Sequence, residues 1–256
     1  AKSMKWGEPW LTWVRPLHSV LVRFNGVTPK TNIPIAYKVV AGQKPRMLYM
    51  VDSTHGHRFL KPDVFTVKDF TDYQARLREH KVILDREERK AIILDQAQAL
   101  AKKHGFALKP DAGLLDEVAG LVEWPVALIG RIDAAYLGLP PEVLTTSMRT
   151  HQKYFALEGA GGKLAPHFIV IANTGADDGG TAITAGNERV LRARLSDAKY
   201  FWDLDRKTKL EDRVPKLAEI TFHANIGKMS ERVTRIESLA GELAVLTSHD
   251  PSPATR

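Results

Sequence analysis

The hydrophobic pattern of the chain changes near residue 173, and this change limits the fold more than any other feature. Before it, strand-like runs at 46–52 and 64–69 lie among stretches of helical periodicity such as 86–104. After it, apolar residues recur almost only at helical spacing. Strands and helices do not alternate regularly enough for a doubly wound sheet. The pattern therefore predicts an α+β fold, with a mixed or antiparallel sheet and packed helices, followed by a helical C-terminal section.

A β-hairpin is the clearest local prediction. The strand-like runs KYFALE (153–158) and HFIVIAN (167–173) are joined by the Gly-rich segment GAGGKLAP. Tyr154 and Phe155 are neighbours on the first strand, so they point to opposite faces of the sheet. We expect one of the two side chains to be buried and the other to lie nearer the surface.

The junction before this hairpin is a candidate binding region. The segment 140–152 has Pro at the first helical position and predicts a helix that ends where the hairpin begins. His151, Gln152 and Lys153 occupy this helix-to-strand junction, where side chains often face a groove. The location predicts that His151 and Lys153 contact a partner.

The segment GNERVLRARLSDAKYFW (186–202) predicts an amphipathic helix, which we expect to be first a core element. Glu188 and Arg192 lie four residues apart, in the order that favours an ion pair. Arg189, Arg192 and Lys199 fall away from the apolar face and are the cations available to a partner. That face is a stripe at spacings of four, three and four, widened by two neighbours: Leu191, Leu195, Ala198, Trp202, Val190 and Phe201.

The predicted elements group into three parts. These are an α+β module at 4–184, a helical section at 185–246 and a linker-like tail at 247–256, where periodicity is lost. Within the first part, the sequence also predicts a helix at 16–25, a short apolar strand at 81–85, a helix at 111–122 with Asp111 as its N-cap, and a buried strand at 125–130.

Composition excludes several classes of protein. Without Cys, the chain has no disulfides, no Cys-ligated zinc and no thiol catalysis. No apolar run approaches the length of about 18 residues that a transmembrane helix needs, and the N-terminus lacks a secretory signal, so we expect a cytoplasmic protein without membrane contact. Residues 1–90 carry 17 Lys and Arg against nine Asp and Glu. This excess is typical of a chain that binds a polyanion, although a basic surface without a partner gives the same pattern.

The motif THGHRF (54–59) holds two histidines and an arginine. On a strand, His55 and His57 would share one face and could bind zinc, but no third ligand lies at a suitable spacing. We therefore predict no metal site and interpret the motif as a basic loop. Its Arg58 either grips phosphate oxygens with its planar fork of donors or pairs with an acidic side chain at the edge of the core.

Two other motifs are similar to nucleotide-binding signatures but lack essential parts. The segment GADDGGTAITAG (175–186) places glycines before a helix, yet it has no Gly-Lys-Ser/Thr ending, and Asp177 and Asp178 would repel phosphate. We interpret it as a flexible loop. The segment GKMSERV (227–233) lacks the second Lys and the His-x-Gly-His partner that class I aminoacyl-tRNA synthetases require. Its Ser230 is interpreted as a helix N-cap.

Longer motifs, in order along the chain, carry a resemblance to one family. They are WVRPLH (13–18), THGHRF (54–59), DYQARLREHKVILDREERK (72–90), TSMRTHQKYFAL (146–157) with the hairpin that follows, and the segment 186–236. Together, about residues 4–246 resemble the beta subunit of the bacterial heterotetrameric glycyl-tRNA synthetase. His55 stands where this family usually has Arg.

The resemblance implies a set of expectations. The chain would be an N-terminal portion of the beta subunit, without its first stretch, its HD-like domain and its C-terminal anticodon-binding domain. In this family the alpha subunit has the class II catalytic fold and uses ATP and Mg²⁺. This chain is therefore expected to need no cofactor and to have no catalytic residue or adenylation site. Its expected partners are the glycyl-tRNA synthetase alpha subunit and tRNA(Gly).

Three functions remain open after this reading of the residues. The chain acts in tRNA binding, in subunit architecture or in both; it is a scaffold without RNA contact; or it is a hydrolase with a site around three of its histidines, His55, His57 and His151. The candidate RNA-binding residues are His55, His57, Arg58, His151, Lys153, Arg189, Arg192 and Lys199.

Overall fold

The computed structural model describes residues 17, 19–33 and 47–247, together with the backbone of residues 4–5, 12–13 and 34. The chain divides into two compact units, Ala1–Arg194 and Leu195–Arg256. In the described residues, no helix is both long enough and apolar enough to cross a membrane. The three-part division predicted from the sequence stays a prediction, and residues 248–256 of its tail lie outside the described residues.

Short strands make up the described N-terminal part of the first unit. In chain order they are β1 (Met4–Lys5), β2 (Thr12–Trp13), β3 (Ser19–Leu21), β4 (Asn32–Pro34), β5 (Met47–Val51), β6 (Ser53–His55) and β7 (Val64–Thr66). β5 lies between β3, which is parallel to it, and β4, which is antiparallel; β1 pairs with β2 and β6 with β7. The helix predicted at 16–25 is wrong in its described residues. Val20 and Val22 favour extended backbone, and β5 supplies the hydrogen-bonding partner.

An antiparallel four-stranded sheet is the largest in the described residues. Its strands, in spatial order, are β8 (Ala107–Leu108), β10 (Phe155–Glu158), β11 (Leu164–Ala172) and β9 (Val126–Arg131). β10 and β11 form the predicted hairpin, with Phe155 opposite Ile169. β9 pairs with β11 from Arg131, opposite His167, to Val126. The predicted hairpin and the strand predicted at 125–130 are confirmed.

The first four α-helices of the described residues are α1 (Phe70–Glu79), α2 (Arg86–Lys103), α3 (Ala112–Ala119) and α4 (Pro141–Thr146), which continues as a π-helical turn over Ser147–Gln152. The helices predicted at 86–104, 111–122 and 140–152 are confirmed. Asp69, Asp85 and Asp111 cap the first three by accepting hydrogen bonds from first-turn amides. The strand predicted at 81–85 is wrong, because the amides of Val82 and Ile83 donate to the carbonyls of Leu77 and Glu123 instead of to a strand.

Side chains are buried on both faces of the four-stranded sheet. On one face, Phe155 packs with α2 and α3 in the main hydrophobic core. On the other, the Tyr154 ring stacks on Phe168 with centroids 4.5 Å apart, and its hydroxyl donates to Asn187 Oδ1 at 2.6 Å. Asn187 belongs to α5 (Thr181–Asp205). Tyr154 and Phe155 are each 3% exposed, so the expectation that one lies nearer the surface is wrong.

The apolar stripe predicted on α5 is buried only in its first half. Leu191 and Leu195 are each 1% exposed. Val190, Phe201 and Trp202 are exposed. The helix is therefore a core element at Leu191 and Leu195, as predicted, whereas its C-terminal end presents aromatic side chains to solvent.

The second unit contains the end of α5, a 3₁₀ helix at Glu211–Ala218, the strands β12 (Thr221–His223) and β13 (Gly227–Lys228), and α6 (Met229–Leu246). Ser230 lies inside α6 and is not its N-cap, since the helix begins at Met229. The carboxylate of Glu231 instead accepts a hydrogen bond from the amide of Lys228, at 3.2 Å. The fold is α+β with a helical C-terminal part, as the sequence predicts.

Candidate functional site

The loop at residues 53–61 is built around a buried histidine, and we call it the His57 loop. His57 is 0% exposed, and its Nδ1 accepts hydrogen bonds from the amides of Phe59 and Leu60 at 3.3 and 3.1 Å. Its own amide donates to the His80 carbonyl at 2.9 Å, and its carbonyl accepts from the Lys61 amide at 3.1 Å. The ring of His57 is therefore a structural element of the loop.

Gly56 allows the His57 loop to pack tightly against the end of α1. A Cβ on Gly56 would lie 2.2 Å from the Lys61 carbonyl oxygen and 2.6 Å from Cβ of His80. The His80 ring lies against Phe65, with centroids 4.4 Å apart. These close contacts leave no room for a side chain at residue 56 and fix the base of the loop.

The two histidines of the motif are in different surroundings. β6 ends at His55, and Gly56 interrupts the alternation that would have placed both rings on one face of a strand. His55 is exposed and His57 is buried. Nowhere in the described ranges do three or more His, Asp or Glu side chains come together in a group that could hold a metal ion.

Arg58 and Phe59 are the exposed tip of the His57 loop. The guanidinium carbon of Arg58 lies 5.7 Å from the centroid of the Phe59 ring, which is 76% exposed. Arg58 is also exposed, and no carboxylate of the described part of the chain forms an ion pair with it. The described residues therefore do not support the alternative in which Arg58 pairs with an acidic side chain at the edge of the core. Within the described residues, the tip offers a cation without an acidic partner beside an open aromatic face.

The junction after α4 is held to α3 by ion pairs. Arg149, in the π-helical turn, donates to both carboxylate oxygens of Asp111 at 2.5 and 3.3 Å. The Arg149 hydrogen bond lowers the pKa of Asp111, and the amide of Leu114 adds to the effect. Lys153 Nζ lies 2.8 Å from Glu117 Oε1, and its φ of 60° places it in the left-handed region. Two basic residues near the predicted groove thus have structural partners.

A groove does lie beside this junction, although other residues line it. A cavity of about 310 Å³ is bounded by Asp111, Arg149, Thr150 and Tyr154 among others. A second cavity, of about 510 Å³, shares Lys109 and Thr145 with it, so the two are neighbours along α4. His151 is exposed and Lys153 half-buried, and neither lines a cavity described above.

The three candidate cations of α5 differ in their partners. Arg192 Nε lies 2.9 Å from Asp133 Oδ2, and Lys199 Nζ lies 2.7 Å from Asp203 Oδ2. The predicted pair between Glu188 and Arg192 is wrong, because Glu188 accepts a hydrogen bond from the Arg131 amide at 2.8 Å. Arg189 is exposed, and the described residues place no carboxylate in an ion pair with it.

In the Gly-rich segment before α5, a carboxylate of the chain itself, that of Asp178, occupies the backbone amides. Asp178 accepts hydrogen bonds from the amides of Gly180 and Ala182 at 2.9 and 2.8 Å. The Ala182 and Gly180 amides lower the pKa of Asp178. A phosphate loop would use free amides at this helix N-terminus, so these residues do not fit a bound nucleotide phosphate. The helix starts at Thr181, five residues earlier than the sequence suggests.

A family comparison covers almost the whole chain. The model of the family described as "Glycyl-tRNA synthetase beta subunit" matches residues 1–255. The chain belongs to this family. Relatives named "Glycine--tRNA ligase beta subunit" include one from Rhodospirillum centenum, 54% identical over 95% of this chain and 36% of the relative. Another, from Phenylobacterium zucineum, is 51% identical over 100% of this chain and 37% of the relative. A third, from Paracoccus denitrificans, is 42% identical over 99% of this chain and 36% of the relative.

The chain spans about a third of the length of the curated relatives it matches. The family membership confirms the resemblance carried by the sequence motifs. The eight predicted RNA-binding residues stay predictions. They belong to three groups, in the His57 loop, at the α4 junction and on α5. Within the described residues, no ion pair joins one of these groups to another. Phe59 is an exposed candidate that the sequence reading missed.

Proposed function

We propose that this chain is part of the beta subunit of a glycine–tRNA ligase and that it contacts tRNA(Gly) through the tip of the His57 loop. The observation that carries the proposal is the exposed pair of Arg58 and Phe59. Arg58 is a cation without an acidic partner in the described residues, and it lies beside an open aromatic ring. The buried ring of His57 accepts hydrogen bonds from the amides of Phe59 and Leu60, so the tip is presented from a fixed base.

The chemistry of this tip suits RNA. A guanidinium donates to phosphate oxygens in a planar fork, which an ammonium group does not do. An exposed aromatic ring offers a face on which an unstacked base packs, with about 1–3 kcal/mol per base in measured cases. The basic excess of residues 1–90, which include the loop, adds a long-range attraction to a polyanion. The relatives are named beta subunits of glycine–tRNA ligase, which supports tRNA as the polyanion.

The test uses the complete enzyme, with alpha subunits, and measures tRNA(Gly) affinity as a function of salt concentration. Arg58→Ala is expected to weaken binding and to reduce the slope of log K against log salt by about one. Phe59→Ala is expected to weaken binding with the slope unchanged, because a stacked ring releases no counterion. Unchanged affinity and slope in Arg58→Ala would show that the loop does not hold phosphate.

A matched control exists on the neighbouring helix. Arg78 is also exposed, but it forms an ion pair with Glu88. Arg78→Ala removes the same charge from the same basic part of the chain and is expected to leave tRNA affinity nearly unchanged. A loss equal to that of Arg58→Ala, with an unchanged Tm, would mean that net charge, and not the loop, determines binding.

We also propose that this chain has no adenylation site and that ATP and Mg²⁺ are used by the alpha subunit. The Asp178 carboxylate on the amides before α5 supports this, because that Gly-rich segment is then closed to a phosphate. The purified chain is expected to give no glycine-dependent exchange between ATP and pyrophosphate. Exchange that survives removal of all alpha subunit would contradict the proposal.

A further inference from the structure

The second unit has almost no core of its own. From Ser196 to Thr247, no described side chain is buried. Of the 27 large apolar side chains exposed in the described part of the chain, fifteen lie in this unit. Ordering a segment of this length costs conformational entropy, which buried apolar surface must offset. An additional surface is therefore needed to cover the unit.

The largest continuous part of this open surface is one side of α6, which we call the α6 stripe. Its residues recur at spacings of three, three, four and three, so they lie on one side of the helix. All are at least 41% exposed: Val233, Ile236, Leu239, Leu243 and Leu246. The opposite side carries polar residues, among them Ser238 and Glu242, whose side chains lie 3.4 Å apart, and a single exposed valine, Val245.

We infer that the α6 stripe is the docking surface for a helical segment of the same polypeptide, from the part of the beta subunit outside the matched region. The curated relatives are aligned to this chain over only 36–37% of their length. About two thirds of such a beta subunit is therefore available to supply the segment. The inference rests on family membership and does not require tRNA contact at the His57 loop.

The chemistry of the stripe favours protein over RNA. It contains no charged residue, and a polyanion is held by cations. Arg232, four residues before Ile236, lies on the same side of the helix, and its guanidinium carbon is 4.2 Å from the centroid of the Phe222 ring. An apolar row at three- and four-residue spacing is the pattern that packs against another helix.

The missing core favours a permanent occupant of the stripe. A unit in which Leu195 is the only buried side chain among the described residues cannot hold its fold while it waits for a partner that binds and leaves. A segment on the same chain is present at a high effective concentration at all times, so it covers the stripe without loss of translational freedom. A second copy or another subunit would cover it only after assembly.

The experiment follows amide hydrogen exchange of α6 in the full-length beta subunit, purified without alpha subunit and without tRNA. The amides of α6 are expected to be protected, and the protection is expected not to depend on protein concentration. Leu243→Glu places a charge within the stripe and is expected to speed exchange in α6 by tenfold or more, roughly the effect of losing burial of half a leucine side chain. Val245→Glu adds the same charge on the opposite side and is expected to leave exchange unchanged.

Other outcomes overturn the inference. Protection that grows with protein concentration would identify a second copy, and protection that appears only with alpha subunit or tRNA would identify that partner. Rapid exchange in all forms would mean that nothing covers the stripe. If Leu243→Glu is insoluble, Leu243→Ala replaces it, since it adds no charge and gives the same direction of change. None of these readouts involves Arg58, so they distinguish this inference from the proposed tRNA contact.

Discussion

The buried hydroxyl of Tyr154 offers the sharpest test of the fold. Tyr154→Phe removes the donor that reaches Asn187 Oδ1 at 2.6 Å and leaves that oxygen without its partner in a half-buried position. The amide of Asn187 is fixed from its other end, because Nδ2 donates to the Ile183 carbonyl at 2.7 Å, so it cannot easily turn away. A lost partner at such a site costs about 1–3 kcal/mol of unfolding free energy. In a chain of this size, that corresponds to a fall in Tm of ~2–12 °C.

The titration of Tyr154 is expected to make the free energy of unfolding depend on pH in the alkaline range. Burial raises the pKa of Tyr154 from 10.0 to about 12. As pH rises, the unfolded chain therefore loses the phenolic proton first. The stabilisation that the protonated hydroxyl gives to the folded state is present in full below pH 10 and is lost between pH 10 and pH 12. A difference of two pKa units corresponds to roughly 2–3 kcal/mol. The stability advantage of the wild type over Tyr154→Phe is expected to shrink over this interval.

Urea unfolding at pH 8, 10 and 11 measures the effect on both proteins, and the absorbance of tyrosinate follows the titration directly. Tyr200, which is 64% exposed, supplies the control. Tyr200→Phe is expected to change neither the stability at pH 8 nor its decline above pH 10. Equal stability of Tyr154→Phe and the wild type at pH 8, or titration of Tyr154 near pH 10, would refute the burial of this hydroxyl and its bond to Asn187.

Three further changes test other contacts, the first two by urea unfolding and the third by thermal unfolding of the same chain. Leu191→Ala is expected to cost about 2–5 kcal/mol because the side chain is 1% exposed, whereas Val190→Ala, at an exposed neighbour, is expected to cost far less. Gly130→Ala is expected to cost about 1–3 kcal/mol, since the new Cβ would lie 2.4 Å from a ring carbon of Phe168. Gly138→Ala is the control, because a Cβ there meets nothing within 4 Å. Asp178→Ala is expected to lower Tm at neutral pH and to matter less in acid, because the lowered pKa of this carboxyl means that its stabilisation is lost as pH falls through the folded value.

Local chemistry explains which parts of the fold the sequence could predict. Asp85 and Asp111 cap helices through contacts with amides only two or three residues away, so the short segment around each contains the information. The hairpin is also local. The strand predicted at 81–85 depended on a distant partner, and the sequence does not show that the amide of Ile83 finds the Glu123 carbonyl instead. The expectation that one of Tyr154 and Phe155 lies nearer the surface failed for the same reason, since α5, which carries the partner of Tyr154, begins more than 25 residues further along the chain.

The loop at 54–59 was predicted from the sequence, whereas the burial and exposure of its side chains were not. The motif at 54–59 identified the loop, but neither periodicity nor residue type distinguishes the buried His57 from the exposed His55. Gly56 was the available signal, because a glycine inside a strand-like run often marks a bend or a close backbone contact. Phe59 escaped notice since an aromatic side chain is usually assigned to the core, and its 76% exposure is a tertiary property.

The arginines of the first unit are of two kinds: some form ion pairs, and Arg58 has no acidic partner in the described residues. The proposed tRNA test depends on this difference. Arg149 and Arg192 pair with Asp111 and Asp133, which lie 38 and 59 residues earlier in the chain, so they fasten distant segments together. Replacing either arginine leaves an acidic side chain without its partner, and any change in RNA binding could then follow from a disturbed fold. Arg58 has no such acidic partner in the described residues, and the ring of His57 holds the amides of the two residues that follow Arg58. A loss of tRNA affinity in Arg58→Ala with an unchanged Tm therefore reports on the contact itself.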